Sequence, residues 1–280
     1  MGKRIILIGG DERSMVLCRL LHEKGHHIHH QLPQNRAEEC LPLIREAEAV
    51  ILPTDYRGGP LTGFCGYPDA IALLYEMQSR CFLFCGAADD RLKQLAAKQN
   101  LRLAQMLEDE VYLIQNAYLS AKGALQCAME NSEGSLWQAS VAVIGTGRIA
   151  QALMPLLHCF STDIRVVGRN AAHLEKARMM GFRGFSLGDM ACALAGTEYI
   201  FNTIPSPIIH AGDLAHMAAG GLYIELASPP YGCAPKDLSP HGRYHLASGL
   251  PGKCCPIAAA KAMLACLFRE MEDSYNGSSG

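Results

Sequence analysis

The sequence predicts an α/β protein built from two doubly wound parallel sheets, joined by a long helix and with a cleft between them. Short apolar runs alternate with amphipathic helical segments over residues 3–104, and the alternation starts again near residue 140. Strands that alternate with helices are typical of parallel sheets covered on both faces. Between the two series, Glu108 to Met129 carries an uninterrupted helical pattern. A length of 280 residues is enough for two domains of ordinary size.

The composition describes a globular chain and argues against several classes of function. Apolar residues make up 49% of the sequence and charged residues 19%, as in folded domains. A net charge of −2 without a basic run argues against binding to nucleic acid. Every apolar stretch is interrupted before it reaches the length of a membrane span. Asp11-Glu12-Arg13 ends the first apolar run too early for a signal peptide. We therefore expect a cytoplasmic protein.

The twelve cysteines show no metal-binding pattern. There is no C-x-x-C, and the nearest approaches are Cys81 with Cys85 and the adjacent pair Cys254-Cys255. Five histidines lie within residues 22–30, but a strand over His26–His30 would distribute its histidines over two faces. We predict buried thiols and a solvated strand edge rather than bound zinc.

Residues 1–107 are predicted to form the first domain, a flavodoxin- or Rossmann-like substrate domain. Arg4–Ile8 is an apolar strand, and a glycine turn joins it to a helical stripe that ends at Gly25. Further along, the pattern predicts a glycine-rich loop over Thr54–Gly66 and a helix over Asp69–Gln78.

The turn Gly9-Gly10-Asp11-Glu12-Arg13 is a candidate substrate site. Two glycines between a strand and a helix expose backbone N–H groups to an anion, and Arg13 adds a positive charge. Because the turn lacks a complete nucleotide fingerprint, we predict that Gly9, Gly10, Asp11 and Arg13 bind a substrate carboxylate. A plain tight turn is the alternative.

Residues 108–134 are predicted to form the connecting helix. Its apolar residues recur three or four positions apart and mark one stripe: Val111, Ile114, Tyr118, Ala121, Leu125 and Ala128. Turn-forming residues over Asn131–Ser135 end the helix.

The second domain, residues 135–253, begins with a dinucleotide-binding fingerprint. An apolar run ending at Ile144 enters Gly145-Thr146-Gly147-Arg148-Ile149-Ala150, which follows the pattern G-x-G-x-x-A. Gly145 permits a tight turn, Gly147 permits close approach of a pyrophosphate, and Ala150 lets the helix lie close to the strand. The N-terminus of that helix would face the anion. These residues predict a Rossmann-like domain.

The end of the next strand bears on which dinucleotide is bound. For NAD, Asp or Glu is expected there to bind the ribose hydroxyls, but this chain has Arg169-Asn170. A guanidinium suits the 2′-phosphate of NADP. We predict NADP rather than NAD, with an arginine that caps a solvated loop as the alternative.

Two later strands end in polar segments that contain proline. Tyr199–Thr203 ends in Asn202-Thr203-Ile204-Pro205-Ser206-Pro207, and Leu222–Leu226 ends in Glu225-Leu226-Ala227-Ser228-Pro229-Pro230. Ligands bind outside the carboxyl ends of strands in such sheets. The residues predicted to hold the nicotinamide are therefore Asn202, Thr203, Ile204, Pro205 and Ala227. Ordinary turn chemistry is the alternative.

The last strand is predicted at Leu246–Ser248, followed by a glycine loop over residues 249–252. Because this loop offers backbone N–H donors beside a cation, Gly252 and Lys253 join the predicted substrate site. Residues 254–273 are predicted to be a C-terminal helix that packs back across the domain junction, with Pro256 in its first turn. Residues 274–280 are predicted to be a mobile tail.

Taken in order, these segments resemble the A subunit of dipicolinate synthase over most of the chain. The resemblance is carried by Ile8–Arg13, Gly145–Arg148, Phe201–Pro205, Glu225–Ser228 and Gly249–Gly252. Related dehydrogenases share the second of these motifs, so the ordered set carries the specificity. The chain departs from the family pattern at Glu225, where Asp is common, at residues 229–232, and around Lys122.

The resemblance implies an NAD(P)-linked oxidation of dihydrodipicolinate to dipicolinate (pyridine-2,6-dicarboxylate) in the mother cell of a spore-forming bacterium. It also implies a partner, the flavoprotein-like B subunit, and a homo-oligomer is left open. We expect hydride transfer from the dihydropyridine ring to C4 of NADP, so the site mainly orients its reactants. Asn202 is predicted to position the nicotinamide. Lys122 and His210 are candidate proton acceptors, with His245 and water as alternatives.

Two other functions stay open at this stage. Another two-domain dehydrogenase, of the 2-hydroxyacid or amino-acid type, would use an arginine and a His–acid pair, for which the sequence shows no clear spacing. The departures around Lys122 and Pro229 also fit a catalytically silent NADP-binding regulatory or scaffold subunit.

Overall fold

The computed structural model describes residues 2–32, 37–56, 72, 75–238 and 242–276. The chain divides into two compact units: a first unit of residues 1–116 with 256–280, and a second unit of residues 117–255. Each unit contains one parallel sheet flanked by helices. The predicted α/β class with two doubly wound sheets is thus confirmed. The predicted cleft stays a prediction.

The first unit contains a five-stranded parallel sheet of order β2-β1-β3-β4-β5. Its strands are β1 (Arg4–Ile8), β2 (His27–Gln31), β3 (Ala49–Ile51), β4 (Phe82–Cys85) and β5 (Arg102–Gln105). The helices that follow them are α1 (Glu12–Glu23), α2 (Ala37–Glu46) and α3 (Asp90–Lys98), and a 3-10 turn (Met106–Glu108) precedes α4 (Glu110–Asn131).

The second unit contains a six-stranded parallel sheet of order β11-β10-β9-β6-β7-β8. Its strands are β6 (Val141–Ile144), β7 (Ile164–Gly168), β8 (Arg183–Ser186), β9 (Tyr199–Asn202), β10 (Gly221–Glu225) and β11 (Gly242–Leu246). Its helices are α5 (Arg148–His158), α6 (Ala171–Met179), α7 (Met190–Leu194), α8 (Ala211–Leu214), α9 (Pro235–Leu238) and α10 (Leu250–Cys254). The chain then returns to the first unit in α11 (Pro256–Asn276).

Both sheets bury both faces, because successive side chains of a strand point to opposite sides. In β1, Ile6 and Ile8 join one core cluster, whereas Ile5 and Leu7 join another. In β6, Val141 and Val143 likewise lie in one core cluster, and Ala142 and Ile144 lie in another. This accounts for the continuous apolar runs that predicted these strands.

The C-terminal helix α11 completes the core of the first unit. Leu267 is fully buried in the same cluster as Leu17 and Leu21 of α1. An ion pair adds to this packing: Arg269 Nε donates to Asp109 Oδ2 at 3.1 Å. The other oxygen of Asp109 accepts from the backbone N–H of Tyr112 at 3.0 Å and so caps the start of α4.

The structure corrects the predicted last strand of the second domain and the glycine loop that follows it. The last strand is β11, which ends at Leu246 and pairs in register with β10 from Gly221↔Gly242 to Glu225↔Leu246. Its polar residues Arg243 and His245 obscured it, because a strand at the edge of a sheet does not need a continuous apolar run. The predicted glycine loop is instead mostly helix α10, which begins after Gly249 in the left-handed region (φ 67°).

The long helix differs from the predicted single stripe. Val111, Ile114 and Tyr118 are 50%, 56% and 48% exposed, whereas Ala121, Leu125 and Ala128 are buried as predicted. The helix passes from the first unit to the second after residue 116. Its buried side is therefore not one continuous periodic stripe.

Three further predictions concern segments at or beyond the limits of the described residues. The helix α11 extends to Asn276, so the tail predicted from residue 274 begins too early. Residues 277–280 lie outside the described part of the chain, as do most of the predicted loop over 54–66 and half of the predicted helix over 69–78. That helix is predicted too long, because residues 75–78 are not helical.

Candidate dinucleotide site and carboxylate site

The turn after β6 requires glycine at its first position. Gly145 has φ 117° and donates its N–H to Val167 O at 2.8 Å. A Cβ on this residue would lie 2.0 Å from Thr203 Oγ1. The hydroxyl cannot easily move away, because it donates to Ile144 O at 2.9 Å. Both conformation and space therefore exclude a side chain at this position.

Gly147 differs, because its surroundings are open. It has φ −77° and precedes α5 as a cap without a side-chain hydrogen bond, and no atom lies within 4 Å of a Cβ built on it. Ala150, one turn later, is fully buried against the sheet. An anion can therefore approach the first N–H groups of α5 at Gly147, Arg148 and Ile149, as the fingerprint predicts.

The end of β7 lies against this turn. A Cβ on Gly168 would be 2.7 Å from Thr146 Cγ2, so Arg169 directly follows a residue in contact with the fingerprint. Arg169 is exposed, and none of the ion pairs found among the described residues involves it. Asn170 Oδ1 accepts from His173 N at 3.1 Å. The Asn170 side chain therefore caps α6, which differs from the predicted cofactor contact.

Asn202 also differs from its prediction. It is fully buried; its Nδ2 donates to Glu225 Oε1 at 2.7 Å and to Ile204 O at 3.0 Å. Its Oδ1 accepts from Ile204 N at 3.1 Å. Because its polar atoms are occupied within the protein, the side chain shapes the turn before Pro205 rather than pointing to a ligand.

Glu225 is the residue that the sequence reasoning did not assign to a site. Its carboxylate is fully buried and accepts four hydrogen bonds, of 2.7 to 3.0 Å, from Asn202 Nδ2, Ala227 N, Tyr223 Oη and Gly232 N. Burial raises the pKa of Glu225, and these hydrogen bonds oppose the rise. The available signal was an acidic residue at the end of the otherwise apolar run Gly221–Ile224.

In the first unit, the Gly9-Gly10 turn uses part of its hydrogen-bonding capacity internally. The N–H of Gly9 donates to Gln31 O at 2.7 Å, and its carbonyl accepts from His30 Nε2 at 2.8 Å. Gly9 and Gly10 both have positive φ, of 56° and 93°. The prediction that the Gly9 amide is open to a substrate is therefore wrong, whereas Gly10 remains exposed.

Arg13 is paired with Asp11. Its Nε lies 2.9 Å from both carboxylate oxygens and its Nη2 lies 2.6 Å from Oδ2, with the Arg13 side chain only 11% exposed. Burial alone would lower the pKa of Arg13, but the hydrogen bond and charge of Asp11 raise it. The turn therefore presents a neutral pair, because the predicted cation already has its counterion.

The remaining predicted residues lie on helices. The N–H groups of Gly252 and Lys253 donate to Gly249 O at 3.1 and 3.2 Å within α10, so they are not the open donors that were predicted. Lys122 is an exposed residue of α4 whose ammonium lies 5.8 Å from the ring centroid of Tyr118. His210 is exposed and begins α8, and its N–H donates to Asp213 Oδ2 at 3.0 Å.

The described ranges lack two classes of feature. No group of three or more His, Cys, Asp or Glu residues is arranged there to hold a metal ion. Over the same residues, no helix is long and apolar enough to cross a membrane.

The two parallel sheets with flanking helices have the fold of the class of two-domain Rossmann-type dehydrogenases. One solved structure of this class, the NAD-complexed D-isomer-specific 2-hydroxyacid dehydrogenase from Lactobacillus delbrueckii ssp. bulgaricus, has a TM-score of 0.57 at 10% identity, with 97% of each chain covered. The dipicolinate synthase A chain from Bacillus subtilis has a TM-score of 0.79 at 22% identity, covering 98% of this chain and 97% of that one.

The sequence comparisons place the chain more narrowly. Residues 4–107 match the family of the N-terminal domain of the dipicolinate synthase A subunit. The chain is 26% identical to the A subunit of dipicolinate synthase from Bacillus subtilis (strain 168), over 94% of this chain and 93% of that protein. The predicted resemblance to the A subunit of dipicolinate synthase is thus confirmed.

Proposed function

We propose that this chain is a dipicolinate synthase A subunit that oxidises dihydrodipicolinate to dipicolinate with NADP. The observation that carries the proposal is the glycine turn between β6 and α5, where Gly147 leaves the helix N-terminus open. This turn has the geometry that a dinucleotide pyrophosphate requires. Similarity to the A subunit of dipicolinate synthase over 94% of the chain supports the choice of reaction.

Different residues around the turn would bind different parts of the cofactor. Thr146, Gly147, Arg148 and Ile149 would hold the pyrophosphate through the start of α5. Arg169 would bind the 2′-phosphate, because it is exposed next to Gly168, which packs against Thr146. The loops after β9 and β10, with Thr203 to Pro205 and Ala227, lie at the carboxyl end of the same sheet and would receive the nicotinamide half.

When bound, the nicotinamide accepts a hydride, and formation of the aromatic product makes this oxidation favourable. The protein therefore has to orient the substrate and balance the charge of its two carboxylates. Gly10, Arg13 and Lys253 are the candidates for this task. In this proposal, Asp11 holds the guanidinium of Arg13 in place until a substrate carboxylate competes for it. A released proton would pass to Lys122, His210, His245 or water.

The proposal also assigns a cellular setting. The protein would act in the cytoplasm of the mother cell of a sporulating bacterium, together with a flavoprotein-like B subunit.

A spectrophotometric assay tests the function directly. The purified chain is incubated with dihydrodipicolinate and NADP, and the ultraviolet absorbance of dipicolinate is followed with that of NADPH. We expect both products in equal amounts. Cofactor binding without turnover, with and without added B subunit, would instead favour the silent regulatory subunit. Turnover of a 2-hydroxyacid but not of dihydrodipicolinate would favour the other dehydrogenase class.

A further inference from the structure

The segment after β10 is attached at both of its ends to a single side chain. The N–H of Ala227 donates to Glu225 Oε1 at 3.0 Å, and the N–H of Gly232 donates to Glu225 Oε2 at 2.9 Å. Between these two points, residues 228–230 are exposed. Glu225 therefore closes residues 226–232 into a loop whose base is partly buried and whose tip faces solvent.

The same carboxylate also holds the loop after the neighbouring strand. Asn202 lies opposite Glu225 in the β9–β10 pairing, and its Nδ2 donates to Oε1 at 2.7 Å. The Asn202 side chain also donates to the carbonyl of Ile204 and accepts from its N–H. One carboxylate thus connects the two loops at the carboxyl end of β9 and β10.

The main chain of the loop packs closely against two side chains at Gly232. A Cβ on Gly232 would lie 2.4 Å from Asn202 Nδ2 and 2.8 Å from Tyr223 Oη. The main chain of the loop therefore rests directly on the two side chains that complete the hydrogen bonding of Glu225.

The donors also specify the charge that this position requires. Each oxygen of Glu225 faces one main-chain N–H, and a main-chain N–H cannot become an acceptor. A glutamine in the same place would turn its NH₂ group towards Ala227 N or Gly232 N. One buried N–H would then lose its partner, and one end of the loop would be released.

We propose that Glu225 is a positioning residue for the nicotinamide half of the cofactor. As a carboxylate, it holds the loops after β9 and β10 in one arrangement at the end of the sheet where ligands bind in this fold. This inference rests on the proposed function. It assigns Glu225 an effect on the nicotinamide but none on the adenosine phosphates, which the fingerprint and Arg169 would hold.

The variant Glu225→Gln tests the inference through two ligands, NADP and adenosine 2′,5′-bisphosphate, a fragment that lacks the whole nicotinamide half. We expect the dissociation constant of NADP to rise by about tenfold, as for the loss of one buried hydrogen bond. The dissociation constant of the fragment should stay within about twofold of the wild-type value, because the fragment does not reach these loops. Titration calorimetry measures both.

Glu198→Gln is the matched control. Glu198 also accepts a hydrogen bond from a main-chain N–H, that of Ser140 at 2.9 Å, but it lies just before β9, at the amino end of the sheet. This variant should bind both ligands as the wild type does. An equal loss of both ligands in Glu225→Gln, or a loss of neither, would overturn the inference.

Hydrogen exchange of the wild-type protein provides a test that does not depend on the folding of a variant. The amides of Ala227 and Gly232 should exchange much more slowly than that of Ser228 at the loop tip. Equal rates at all three would overturn the inference. If the wild type bound the fragment but not NADP, only the nicotinamide role would fail. If it bound neither ligand, the proposed function would fail as well.

Discussion

At the scale of single residues, the two fingerprint glycines have different physical reasons for being glycine. Gly145 has a positive φ and a neighbouring hydroxyl 2.0 Å from the position of a Cβ, so it is required by the fold itself. Gly147 has an ordinary φ and open space around it. A Cβ there would meet no neighbouring atom within 4 Å, so the reason for this glycine is the pyrophosphate of the proposed cofactor.

This difference can be measured with two alanine variants. Gly145→Ala should lower the free energy of unfolding by about 1–3 kcal/mol, the usual cost of a strained backbone. Gly147→Ala should unfold like the wild type but bind NADP at least tenfold more weakly. Denaturant unfolding and calorimetric titration give the two quantities. Normal NADP binding by a folded Gly147→Ala protein would show that the pyrophosphate does not approach this turn.

Arg169 should determine the preference for NADP over NAD. Loss of hydrogen bonds between a guanidinium and a phosphate costs about 1.5–3 kcal/mol, so Arg169→Ala should weaken NADP binding roughly 10- to 150-fold. Binding of NAD, which has no 2′-phosphate, should hardly change. Arg178→Ala, an exposed arginine of α6, is the control and should leave both affinities unaltered. A wild-type protein that prefers NAD would contradict this role.

Asp163 is expected to make the stability of the second unit depend on pH. Hydrogen bonds from Arg165, at 2.8 Å, and from Ser140, at 2.7 Å, lower the pKa of this carboxyl, although partial burial opposes them. A depressed pKa in the folded state stabilises the protein above the unfolded-state value of about 4. This stabilisation is lost as the pH falls through the folded-state pKa.

Asp163→Asn should therefore be less stable than the wild type at pH 7, and the difference should shrink progressively below about pH 4. Urea unfolding of both proteins between pH 7 and pH 2.5 measures this difference. A constant difference over the whole range would mean that the ionisation of Asp163 does not contribute.

At the scale of elements, α11 shows how a distant segment of sequence completes a domain. Leu267→Ala should destabilise the protein by about 2–5 kcal/mol, because Leu267 is fully buried among α1 side chains. Ile257→Ala, on the same helix but 53% exposed, should change the free energy of unfolding by less than about 0.5 kcal/mol. Similar losses in both variants would mean that α11 acts through helix formation rather than packing.

Elements were predicted well where the signal was local and poorly where it was not. The sequence predicts β1 and β6 because strands that are buried on both faces have continuous runs of apolar residues. The edge strand β11 was misplaced, because Arg243 and His245 break such a run. The predicted stripe on α4 is only half right: Val111 and Ile114 are half exposed, and Tyr112 is the residue buried in that part of the helix.

At the scale of the whole molecule, the proposal assigns the cofactor to the second unit and one of the substrate-binding cations to the first. Arg169 belongs to the second unit and Arg13 to the first. Arg13→Ala should raise KM for dihydrodipicolinate strongly while leaving the affinity for NADP nearly unchanged. Equal loss of both, or of neither, would contradict the proposed division of labour. Steady-state kinetics and NADP titration of the variant measure the two effects.

Asp11→Asn is the companion variant for this experiment. It removes the counterion but keeps a side chain that can cap α1. If Asp11 competes with the substrate for Arg13, KM for the dicarboxylate should fall. A rise as large as that in Arg13→Ala would mean that Asp11 is needed to hold the guanidinium in a productive position.

The sequence by itself determined the two series of strands and helices, the fingerprint turn and the family resemblance. These depend on periodicity, on glycine conformation and on residue order, which are properties of neighbouring positions along the chain. Only the tertiary structure decided which polar groups remain available to a ligand. Asn202 donates a hydrogen bond to Glu225, which lies 23 positions away in the sequence. Both side chains are buried, and buried polar groups need such partners. The pairing of Arg13 with Asp11 depends on the side-chain conformations that the folded turn imposes.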